Sequence, residues 1–257
     1  MLRLTAFISA LALSGAALAE DIRVGVSPGE HAEIMEEVAR IAEPQGLNID
    51  VVEFSDYVVP NTALADGDLQ ANSFQHRPYL ENQIQDRGFD LVEVATTITT
   101  PMGIYSDRIE DMADLPEGAQ VAIPNDPTNG GRALLLLQEL GLIGLAEDTG
   151  LVPSVLDITE NAKDLEFLEL DAAQLPRALA DADIAIINTN YALASGLSPK
   201  GDSIAMEAAD SPYVNIIVVR AEDAEAPWVD QLVAAYHSDA VKAFIDEKYE
   251  GAVLTSW

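Results

Sequence analysis

The chain has 257 residues, with 44 Asp+Glu against 13 Lys+Arg, three His and no Cys, for a formal charge of −31. At 49% hydrophobic it is a globular composition, long enough for one large domain or two lobes. It excludes disulfide scaffolds, thiolate metal sites, cysteine nucleophiles and thiol-linked lipid, and it argues against nucleic-acid binding, whose affinity is built on Lys and Arg.

Residues 1–19 read as an export signal. Arg3 is the positive start, 4–13 the apolar run, and Ala17-Leu18-Ala19 the small-residue cleavage pattern. The run is too short for a bilayer core of about 30 Å. The expectation is cleavage near Ala19 and a soluble periplasmic protein without a lipid-bearing cysteine. The acids are scattered rather than blocked, which suits solubility in a salty medium more than a cationic partner.

The mature chain opens with a strand at 23–26, a Ser27-Pro28-Gly29 turn, and a helix over 30–43 with Ile34, Val38, Ile41 and Ala42 on one face. A strand at 49–54, a loop and short helix over 56–68, and a strand at 69–74 follow. Then come a helix over 77–87, with Pro78 in its first turn and Gly88 past its end, and a β-branched strand at 91–98. The alternation restarts with a strand at 120–123, a helix over 132–140, a strand at 166–170, a helix over 172–180 and a strand at 184–187. A strand at 214–219 and helices over 227–237 and 239–248 finish the chain. Alternating β and α predicts parallel sheets flanked by helices. Extended segments at 96–106 and 213–220 predict a two-strand hinge. The first lobe is then 20–106 plus 211–257 and the second 107–210, with a ligand in the cleft between them.

Candidate site residues cluster at strand ends. The stretch 124–132 leaves a strand through a turn rich in Pro, Asn and Gly and enters an apolar helix, and Gly there would let an anion approach free backbone N–H groups. Arg132, placed in the first helical turn, opposes the helix dipole, so either a ligand carboxylate or a neighbouring acid is expected to hold it. Asn188 follows a strand end, and Asn215 lies among Val214, Ile216 and Ile217, where an unpaired amide would cost about 1–3 kcal/mol. Both could hold the head group of a zwitterion, or Asn215 could satisfy nearby backbone. Tyr57, Phe74 and His76 sit at or beside strand ends, where aromatic walls could enclose an apolar or thioether side chain, although core roles suit Tyr57 and Phe74 as well. His31, His76 and His237 are far apart, and no pattern calls for a metal, a cofactor or a catalytic triad.

Together these stretches resemble the NlpA/MetQ family of methionine-binding components of ABC importers. The shared words are Asp56-Tyr57-Val58-Val59-Pro60-Asn61, the run from Asn72 to Leu80, the run from Pro124 to Gln138, Gln174-Leu175-Pro176-Arg177, Ile187-Asn188-Thr189-Asn190-Tyr191 and Ser211-Pro212-Tyr213-Val214-Asn215. They cover essentially the whole mature chain. The resemblance implies a type II-like, two-lobe periplasmic binding protein that passes L-methionine to an ABC permease and its ATPase at the inner membrane. It assigns the ligand carboxylate to Arg132, the head group to Asn188 and Asn215, and the side chain to Tyr57, Phe74 and His76. A monomer suits such a carrier. Many family members carry a lipid on a cysteine after the signal, and this chain has none. The alternatives are another small amino acid, a methionine-containing dipeptide, or an exported hydrolase, which would need Asp56 and Asp126 to converge.

Overall fold

The computed structural model describes residues 19–208 and 211–257; the signal segment, save Ala19, lies outside them. β1 (Glu20–Val26) leads into α1 (Glu30–Ala42), whose Ile34, Met35 and Val38 are fully buried on one face. β2 (Leu47–Glu53), α2 (Val59–Ala65), β3 (Ala71–His76), α3 (Arg77–Arg87) and β4 (Leu91–Thr96) follow. α3 keeps its predicted bounds because both end signals operate: Pro78 sits in its first turn, and Gly88 closes it at φ 70°.

The chain crosses through β5 (Ile98–Thr99) into β6 (Gly103–Tyr105), β7 (Gln120–Pro124) and α4 (Pro127–Glu139). The short pair β8 (Gly144–Leu145) and β9 (Ile158–Glu160) precedes β10 (Glu166–Leu170), α5 (Leu175–Ala178), β11 (Ile184–Ile187), α6 (Thr189–Ala194) and β12 (Ser203–Met206). It returns through β13 (Asn215–Arg220), and α7 (Pro227–Tyr236), α8 (Asp239–Tyr249) and β14 (Leu254–Thr255) complete it.

These strands form two five-stranded sheets, ordered β2-β1-β3-β13-β4 and β10-β7-β11-β6-β12. Helices cover both, so the molecule is an α/β protein of two lobes. α1, α7 and α8 bury one face of the first sheet, while Leu64, Leu80 and Leu91 pack with Ile216 and Val218 on the other. α4 covers one face of the second sheet, and α5 and α6 the opposite one.

The sheets are not purely parallel. β13 runs antiparallel to β3 and β4, and β6 antiparallel to β11 and β12. Each is the strand that has just crossed from the other lobe, so it enters its sheet against the prevailing direction. β6 thereby joins the second sheet, although the hydropathy pattern had kept 103–106 with the first lobe. An extended apolar run does not encode which edge it will pair with. The helix expected over 172–180 shrinks to a 3₁₀ turn and α5, because Pro176 has no N–H to continue an earlier turn. Among the described residues no helix is long and apolar enough to cross a membrane.

Candidate functional site

The antiparallel register sets Asn215 opposite His76, bringing residues remote in sequence together at the end of the first sheet. Facing them are the start of α4 after β7 and Asn188 after β11. Between the lobes these ends enclose a small cavity. Every predicted site residue lines it: Tyr57, Phe74, His76, Arg132, Asn188 and Asn215. So do His31, Gln75, Tyr79, Thr100, Asn129 and Asn190. Gln75, Tyr79, Asn129 and Asn190 lie inside the sequence words already quoted, whereas nothing in the sequence singles out Thr100.

Hydrogen bonds from behind orient the polar wall. Asp126 caps α4, accepting from the Asn129 N–H at 2.9 Å and from the Thr128 hydroxyl at 3.0 Å. Asn129 Nδ2 donates to the same carboxylate at 2.9 and 3.1 Å, which turns its Oδ1 toward the cavity. That oxygen accepts from Asn188 Nδ2 at 2.9 Å. His76 Nδ1 accepts the Tyr79 N–H at 3.1 Å, so the ring proton sits on Nε2 and is donated to Asn129 Oδ1 at 3.2 Å. Burial, with Arg132 nearby, lowers His76 to about 3 and keeps it neutral. With its Nδ2 committed, Asn188 is left with a buried Oδ1 that has no partner among the described residues. Such an acceptor fits an ammonium group. Asn215 Nδ2 lies 3.5 Å from Thr100 Oγ1, the outer limit of a hydrogen bond, so backbone satisfaction does not explain this amide.

Arg132 is only 2% exposed. Its Nε lies 3.1 and 3.2 Å from the Glu207 carboxylate oxygens, and its Nη2 donates to that carboxylate and to the Thr100 carbonyl at 3.0 Å. The Tyr213 ring stacks 4.4 Å from the guanidinium carbon. Among the described residues Nη1 has no partner, which leaves one edge of the fork for a ligand carboxylate. Two expectations need correction. α4 begins at Pro127 behind its Asp126 cap, so Arg132 stands in the second turn, and an acid does hold it. The glycines serve packing rather than ligand approach: a Cβ on Gly130 would lie 2.7 Å from the Pro124 carbonyl oxygen, and one on Gly131 2.8 Å from that of Leu151.

The opposite wall is aromatic. Tyr57 lies 6.1 Å from Phe74 and 5.0 Å from Tyr191 between ring centroids, and its phenol, raised well above its usual value by burial, donates to Asn190 Oδ1 at 2.5 Å. That bond joins the lobes, as does Tyr191 OH to the Ser55 carbonyl at 3.2 Å. Gly29 makes this closed approach possible. It sits at φ 85°, and a Cβ there would lie 2.6 Å from the Asn190 carbonyl oxygen. Gly29→Ala is therefore expected to weaken ligand binding at least about tenfold while leaving each lobe folded. Titration calorimetry beside circular dichroism checks this, and wild-type affinity would contradict it.

The acids required by a hydrolase do not converge. Asp56 accepts the N–H groups of Val58 and Val59 at 2.8 and 3.0 Å, Asp126 caps α4, and neither lines the cavity. Among the described residues no three His, Cys, Asp or Glu side chains gather as a metal site would require.

A family model described as NlpA lipoprotein matches residues 22–257. The chain belongs to the NlpA lipoprotein family. Its relatives include the D-methionine-binding lipoprotein MetQ of Salmonella typhimurium, 48% identical over 98% of this chain and 96% of the relative. A structure of a nutrient binding protein from Burkholderia cenocepacia bound to methionine is 51% identical, with a TM-score of 0.90 over 92% of this chain and all of that one. The crystal structure of the methionine-binding protein MetQ superimposes with the same score at 47% identity, covering 92% of this chain and 98% of that one. The family is one of binding proteins, not enzymes. Membership also corrects the expected location. NlpA-family proteins are lipoproteins by name, and this overturns the expectation of a freely soluble periplasmic protein. That expectation rested on the cleavable export signal and the missing cysteine, neither of which fixes where a family member resides.

Proposed function

We propose that this protein is the methionine-binding component of an ABC importer. The observation that carries the proposal is the cavity between the lobes, which offers a free guanidinium edge on Arg132, an unpartnered acceptor on Asn188 and an aromatic wall around Tyr57 and Phe74. These match a carboxylate, an ammonium and a thioether chain in turn. The relatives that bind methionine support the same ligand. Tyr57, Phe74 and His76 would grip the side chain from the first lobe, Arg132 and Asn188 the head group from the second, and Asn215 would complete it from the returning strand. Ligand contacts from both lobes favour the closed form, which an ABC permease and its ATPase would recognise.

Calorimetry of protein unfolded and refolded to strip carried ligand tests this directly. The two enantiomers of methionine are titrated separately, with the other amino acids as controls. Tight one-to-one binding confined to methionine is the expected result. A signal with another amino acid alone would replace the ligand, and silence across the panel would remove the binding function.

A further inference from the structure

Glu207 lies just past β12, where the chain starts back toward the first lobe, outside every motif that pointed to the site. Besides Arg132, its carboxylate accepts the N–H of Met102 at 3.3 Å and the Ser211 hydroxyl at 3.1 Å. Met102 belongs to the outgoing crossing and Ser211 to the returning one, so both crossings and the ligand-facing arginine meet on one side chain, itself 11% exposed. The other titratable side chains lining the cavity, His31, Tyr57, His76 and Tyr79, are uncharged near neutral pH. Burial lowers His31 to about 4 and His76 to about 3, lifts Glu30 behind them to about 8, and raises the Tyr57 and Tyr79 phenols. Asp126 is half-buried, with its charge directed at the start of α4.

We propose that Glu207 selects the charge form of the ligand: by neutralising Arg132 in the cavity wall it admits a zwitterionic amino acid and disfavours the isosteric α-hydroxy acid. This deepens the methionine proposal and rests on it. An unpaired guanidinium attracts any carboxylate and repels an ammonium on the next carbon. Glu207 cancels that repulsion, and Asn188 Oδ1 can then accept the ammonium proton. Removing the negative charge restores a repulsion that an ammonium feels and a hydroxyl does not. At an effective dielectric near 20, that difference exceeds about tenfold in affinity for any separation below about 12 Å.

The test is calorimetry of wild type, Glu207→Gln and Glu207→Asp with methionine and with 2-hydroxy-4-(methylthio)butanoate, which replaces the ammonium by a hydroxyl. Wild type is expected to prefer methionine by roughly tenfold to a hundredfold. Glu207→Gln should collapse that ratio by about tenfold or more, while Glu207→Asp, which keeps the charge, preserves it. A glutamine variant that weakens both ligands by one common factor would show a merely structural role and overturn the proposal. Equal binding of the two ligands by wild type would overturn it without any variant, so a poorly folding glutamine protein does not shield it. A wild type that ignores methionine altogether would instead sink the functional proposal, a result distinct from an unchanged ratio.

Discussion

Arg132→Ala is expected to lose methionine affinity by roughly tenfold to a hundredfold or more, since charge-assisted hydrogen bonds contribute about 1.5–3 kcal/mol. It is also expected to lose stability. Glu207 would remain largely buried with its cation removed, and breaking such a pair from one side costs about 3–5 kcal/mol. The two losses can be separated. Arg132→Met combined with Glu207→Gln removes both charges and fills similar space, so it should recover most of the stability and none of the affinity. Thermal unfolding and calorimetry on the single and double variants read the two quantities independently. Wild-type binding by the stable double variant would show that Arg132 does not hold the ligand.

The second large effect concerns pH. Glu30 opens α1 fully buried, with neither carboxylate oxygen hydrogen-bonded among the described residues and the His31 ring nitrogen 3.8 Å away. Burial lifts its carboxyl from 4.5 to about 8. A raised folded value means that the native state holds a proton the unfolded chain has released, so this contribution is complete below pH 4.5 and is lost as pH rises through 8. His31 and His76 act oppositely. Burial lowers them from 6.5 to about 4 and about 3, so their contribution is complete above pH 6.5 and is lost as pH falls toward those values. Between 4.5 and 6.5 the two imidazoles act against Glu30 and against Asp126, which burial also raises. Above 6.5 the imidazole contribution is complete while that of Glu30 is being lost. Stability should therefore fall as pH rises from 6.5 toward 8. Glu30→Gln keeps the shape and removes the titration, so relative to wild type it should gain on the order of a few kcal/mol between pH 6 and 9. Repulsion among the surface acids is common to both proteins and cancels in the comparison. Urea midpoints at three pH values suffice, and parallel wild-type and variant curves would refute a buried, neutral Glu30.

Much of the architecture could be read locally. α1, α3 and the strand at 184–187 appear where hydrophobic period, Pro and Gly place them, because these signals act within one or two turns of chain. The start of α4 was legible too, in Asp126-Pro127, a cap followed by a proline at the first helical position; the density of Asn and Gly after it made the segment look like a turn. β12 carries too little signal to be read, since Ser203–Met206 is only four residues long, without alternation, and half-buried along its whole length. The site was legible as residue types in recognisable words, and all of those residues meet in one cavity.

By itself, then, the sequence determined the α/β class, the alternation that builds two sheets, and the family to which these words belong. Those properties follow from short-range periodicity and from contiguous runs of residues. Only the tertiary structure decided that β6 and β13 enter their sheets antiparallel, that Asn215 stands beside His76, and that Glu207, 75 residues from Arg132, supplies its counter-charge. Each depends on long-range pairing and burial. Whether a charge among 44 acids is idle or indispensable is settled by the dielectric around it, and that exists only once the chain has folded.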